Sequence, residues 1–92
     1  MERVEGTVQG LDKYDDVYIV LYSLGGSTWY VQPFVGSAMT AISAAGQWRS
    51  RIHLGSEYAA LLVRAGYEPK SQVSLLPAVR GDVLAAEVVD AK

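Results

Sequence analysis

Cysteine is absent, histidine and phenylalanine occur once each, and no run of lysine or arginine occurs anywhere in the chain. Without cysteine there is neither a disulfide framework nor a thiolate zinc site, and thiols say nothing about the redox compartment. The net charge of −2 provides no field that would recruit a phosphate backbone, so nucleic acid is not an expected partner. No stretch reaches the ~18 apolar residues that a membrane-crossing helix requires. Met1-Glu2-Arg3 leads straight into a strand pattern rather than a secretion signal.

The 92 residues are half apolar and one-fifth charged, a globular composition that points to one domain over 1–92. A chain this short buries only about 60–65% of its unfolded surface, which leaves little space for an internal catalytic cavity. A surface is the easier device for it to build, and no cofactor is expected.

Six segments alternate or run apolar at strand length. Val4 to Gln9 alternates strictly, with Val4, Gly6 and Val8 on one face and Glu5, Thr7 and Gln9 on the other. After the turn-rich loop from Gly10 to Asp16, Val17, Ile19 and Leu21 oppose Tyr18, Val20 and Tyr22, so the second strand is apolar on both faces. Leu24-Gly25-Gly26-Ser27 reads as a hairpin turn, and Trp29 to Val35 as a third strand that Pro33 confines to an edge or breaks near its end. Gln47 to His53 sets Trp48, Ser50 and Ile52 against a basic face of Arg49, Arg51 and His53. Tyr58 to Val63 fits a central strand buried on both sides, and Val83 to Val89 closes the order.

The fold expected is all-β, a small antiparallel β-sandwich of about six to seven strands. The alternative is α+β with short helices near 38–45 and 57–65. Ser37 as N-cap and Gly46 as the left-handed residue past the end would bound the first; Ser56 and Gly66 would bound the second.

Gly6-x-Val8, Val17-x-Ile19-Val20-Leu21-Tyr22, Trp29-Tyr30-Val31-Gln32-Pro33, Gly46-x-Trp48, His53-x-Gly55, Tyr58 to Val63 and Gly66-Tyr67-x-Pro69 together resemble a bacterial accessory module of extracellular or cell-surface proteins. The outline is similar to transthyretin-like and Cna-B-type β-sandwiches. The resemblance spans most of the chain but rests on apolar and turn residues. It implies a sandwich within a longer extracellular chain, favoured over a cytoplasmic protein, and carries over no catalytic or binding residue. The alanine-rich stretch from Ala38 to Ala45 departs from the pattern.

Nucleophilic or acid–base catalysis finds little support. His53 has no partner at workable spacing and reads as a solvated or hydrogen-bonded side chain; no Gly-x-Ser-x-Gly elbow occurs. Asp12, Asp15 and Asp16 match no calcium-loop spacing and read as a solvated acidic turn, so no metal site is expected. Gly25-Gly26 lacks the lysine of a phosphate-binding loop.

The aromatic residues hold more promise. Tyr18 and Tyr22 share a face of the second strand, and Tyr30 and Phe34 share a face of the third, so hairpin pairing can lay them side by side. Tyr18, Tyr22, Trp29 and Tyr30 are thus the candidate ligand- or partner-binding residues, and Trp48 is expected in the core. The competing reading places these rings inside a thin sandwich. The apolar second faces of 17–22 and 58–63 must be covered by the chain's own loops or by a second subunit. The leading functional expectation is a non-catalytic interaction module, self-associating or docking within a larger assembly. A carbohydrate-binding module using the Tyr/Trp platform is the alternative.

Overall fold

Period-two patterning becomes strand pairing along almost the whole chain. A computed structural model describes residues 1–33 and 35–90, and in them eight strands pair antiparallel: β1 (Glu2–Thr7), β2 (Val17–Gly25), β3 (Thr28–Gln32), β4 (Met39–Ala41), β5 (Gln47–Ile52), β6 (Glu57–Arg64), β7 (Gln72–Val73) and β8 (Val83–Asp90). β1 and β5 form a two-stranded sheet; the other six form a sheet ordered β7-β3-β2-β6-β8, with β4 also pairing β2. The fold is all-β, and its two sheets pack as a small sandwich.

Neither helix of the α+β alternative exists. Residues 57–64 are strand because β2 and β8 pair with β6 on its two sides, and this pairing overrides the helix preference of its alanines and leucines. Within 38–45, residues 39–41 are strand and Ser43 to Gln47 is a tight turn. In that turn the Gln47 amide donates to Ser43 Oγ at 3.1 Å and the Gly46 amide donates to the Ser43 carbonyl at 2.9 Å. Gly46 does adopt a left-handed φ of 80°, but it ends this turn rather than a helix.

β2 is long enough to hold two partners end to end on one side. β3 pairs Leu21 to Gly25 and β4 pairs Tyr18 to Val20, so β4 resumes the path of β3 after an excursion that begins at the cis Gln32–Pro33 peptide. β2 and β3 are joined by Gly26-Ser27, with Gly26 at φ 63°, the positive angle that a type II′ turn places at its first central residue.

Alternation along β2 and β6 sorts two cores. Val17, Ile19, Leu21 and Leu62 meet Val4, Trp48 and Ile52 of the small sheet. On the opposite face, Val20, Tyr22, Val31, Ala59, Leu61 and Val63 pack with Met39 and Val73 of the same sheet and with Tyr67 and Leu76 from the segments outside it. The second apolar face of the large sheet is therefore covered by the chain's own segments, and no second subunit is needed to bury it.

Candidate interaction surfaces

The register of the β2–β3 hairpin decides where the aromatic residues go. Tyr22 lies opposite Val31, and Tyr30 lies opposite Ser23, so Trp29 and Val31 share the Tyr18–Tyr22 face while Tyr30 points to the other. Tyr18 and Trp29 are half-buried against the second core, Tyr22 is 0% exposed, and Tyr30 alone is largely exposed at 44%. The side-by-side platform expected from the sequence is not assembled: Tyr22 offers no surface to a ligand, and Tyr30 stands on the far face. Phe34 lies outside the described residues. The extended aromatic faces of the sequence are, for the most part, the filling of the second core.

Tyr22 carries a polar atom into that core. Its hydroxyl has no hydrogen-bond partner among the described residues; the Tyr67 side chain and the Lys70 backbone stand close enough to influence its titration without meeting bonding geometry. Burial pushes the hydroxyl above its ordinary value of 10.0, Tyr67 adds to the rise, and Lys70 opposes it. The folded state thus holds this proton more tightly than the unfolded state. Its contribution is intact below the unfolded value of 10.0 and is lost as pH climbs above it. Replacing Tyr22 by Phe removes an unsatisfied buried hydroxyl, and stability at neutral pH rises by about 1 kcal/mol. Urea unfolding at pH 7 and pH 11 checks both parts: Tyr22→Phe has the higher midpoint at each pH and the smaller loss between them.

Two buried polar side chains fasten the β5–β6 connection to the hairpin. Ser23 Oγ donates to the His53 carbonyl at 2.6 Å and accepts from the Gly55 amide at 2.8 Å, while Gln32 Oε1 accepts from the His53 amide at 2.9 Å. His53 thus serves through its backbone, and its imidazole is exposed. Ser23→Ala leaves the Gly55 amide without its acceptor and costs about 1–3 kcal/mol, measurable by urea unfolding.

The concave surface lies elsewhere. The two-stranded sheet is narrower than the sheet it covers, and where β1 ends short of β8 a groove of about 520 Å³ opens. Ile19, Tyr58, Ala60, Leu62, Ala85 and Val89 give it an apolar floor, and Glu5 and Glu87 stand at its exposed rim. A second hollow, of about 650 Å³, lies on the other side of Gly6 and Trp48, beside Ala41 and Ile42. Both depend on Gly6: it lies opposite Trp48, whose ring would be 2.7 Å from a Cβ at that position. The groove residues were not among the sequence candidates. A signal was present in Val83 to Val89, where small and apolar residues occupy both faces of a strand interrupted by one charge, Glu87.

Among the described residues β8 pairs only with β6 and so forms one edge of the large sheet, whereas the opposite edge, β7, is two residues long. Along β8, Ala85 and Ala86 are exposed and Val88 is 47% exposed. The acidic residues Asp12, Asp15 and Asp16 are exposed in the β1–β2 loop, and no group of three or more His, Asp or Glu positioned to hold a metal ion occurs among the described residues. No helix is long and apolar enough to cross a membrane among those residues. Comparison with protein-family models, with curated proteins and with solved structures found no match.

Proposed function

We propose that this chain is a non-catalytic β-sandwich interaction module that docks protein, either a second copy or a neighbouring domain of a larger bacterial assembly, along its open β1–β8 side. The groove between β1 and β8 carries the reading. It joins an apolar floor to the sheet edge from Val83 to Val89, which has no second strand beside it among the described residues, and long, weakly charged edges are the usual places where another chain pairs. Its floor residues bind by contact and not by proton transfer. A setting within a longer extracellular or cell-surface chain follows from the resemblance to transthyretin-like and Cna-B-type sandwiches.

The test combines sedimentation velocity from micromolar to millimolar protein with a photocrosslinking residue placed at Ala85, and at Val79 as an exposed control. Association that weakens in Ala85→Lys, or crosslinked protein at 85 and not at 79, supports the docking side. A strict monomer that yields no adduct at 85 contradicts docking of a second copy.

A glycan-binding reading keeps one observation in its favour, the exposed ring of Tyr30 beside Gly25, whose Cβ position lies 3.3 Å from it. A blank glycan array, with Tyr30→Ala behaving as the parent, removes that reading.

A further inference from the structure

Pairing of β1 with β5 places Arg3 directly opposite Arg51, and Arg49 opposite Glu5, on the face of the small sheet that points away from the core. All three arginines are exposed, and a hollow of about 390 Å³ is lined by Arg3, Arg49, Ser50 and Arg51. Among the described residues none of the three forms an ion pair. Like charges directly opposite on neighbouring strands destabilise a sheet, and their Cβ atoms stand only about 5 Å apart. The chain is acidic, with ten Asp and Glu against eight Lys and Arg, yet among the described residues no carboxylate pairs with Arg3 or Arg51. Arginine is a specific choice for such a place. Its planar fork presents two parallel donors to an oxyanion, and two forks from adjacent strands can grip one group from both sides. The inner faces of the same strands carry Val4, Trp48 and Ile52, all buried, so the forks stand on a rigid base. Glu5 repels an anion at Arg49, which centres the site on the other two arginines.

We propose that Arg3 and Arg51, flanked by Arg49, form a binding site for a phosphate or sulfate group, free or carried as an ester on a larger ligand. The site lies on the solvent face of the β1–β5 layer and is independent of the groove on its inner side. A bound oxyanion neutralises the opposed pair, so the arrangement that costs stability in the empty protein becomes favourable in the occupied one.

The experiment measures thermal unfolding and equilibrium binding of the full chain with inorganic phosphate, inorganic sulfate and a sulfated oligosaccharide, with sodium chloride matched for ionic strength. The parent is stabilised saturably by at least one of the three beyond the chloride control. Saturation by the inorganic anions identifies a free-anion site; response to the oligosaccharide alone identifies an ester. Arg51→Thr melts at the same temperature as the empty parent or higher and binds at least about tenfold more weakly. Lys13→Thr, which changes the net charge equally, binds as the parent does. Absence of saturable stabilisation in the parent overturns the proposal. So does an Arg51→Thr variant that binds like the parent, or an equal loss in Lys13→Thr.

Discussion

Trp48→Ala loses about 3–5 kcal/mol of stability, the range for deleting a large aromatic side chain from a core. The ring is 8% exposed, packs among Val4, Ile19, Ile42 and Leu62, and covers the bare backbone of Gly6 across the β1–β5 pair. Because β1 and β5 make up the whole of the second sheet among the described residues, the cavity left by the ring opens in the core that packs that sheet on the large one. Chemical denaturation checks the loss. A change below about 1 kcal/mol contradicts the placement of Trp48 in the core.

Gly55→Ala is the second severe substitution, with an expected cost of about 3 kcal/mol or more. A Cβ at Gly55 would overlap the Leu24 carbonyl oxygen, a backbone atom near the end of β2, where it pairs with β3. The segment cannot move away freely. The Gly55 amide is bonded to Ser23 Oγ at 2.8 Å, and the next amide, of Ser56, is bonded to the same Leu24 carbonyl at 3.1 Å. The substitution therefore breaks the clasp that Ser23 and Gln32 make with residues 53–55, and a melting temperature close to the parent's contradicts this account.

The strands that were legible in the sequence are those with enough residues to show a period. Val17, Ile19 and Leu21 against Tyr18, Val20 and Tyr22 is a two-faced strand in both sequence and structure, and so is Tyr58 to Val63. β4 and β7 were not legible, because three and two residues carry no periodicity; they exist because β2 and β3 leave backbone groups along their sides to be paired. Helix signals at 37–46 misled for a local reason. Ser37 and Gly46, the boundaries that such a helix would have, instead end a single 3-10 turn at Val35–Ser37 and the tight turn from Ser43, and Gly46 sits where a side chain would strike the Val8 carbonyl.

The candidate site was less legible than the fold. That Tyr18 and Tyr22 share a face follows from spacing alone, but the side on which Tyr30 emerges depends on hairpin register, which pairs it with Ser23. Whether Tyr22 is wet depends on Tyr67, Val73 and Leu76, which lie in a segment with no pattern of its own. The groove exists because one sheet is narrower than the other, a property of topology that no local window records. The opposed arginines likewise appear only once β1 is paired with β5.

The docking side follows from one arrangement: the large sheet is buried on both faces along β2 and most of β6 and is open along β8. Residue-resolved hydrogen–deuterium exchange on the purified chain tests it directly. The account predicts slow exchange at Val20 to Tyr22 and Ala59 to Val63, and an alternating pattern from Ala85 to Val89 in which the amides pointing away from β6 exchange fast. Fast exchange at Val20 to Tyr22, or uniform protection across Ala85 to Val89 in a monomer, contradicts it.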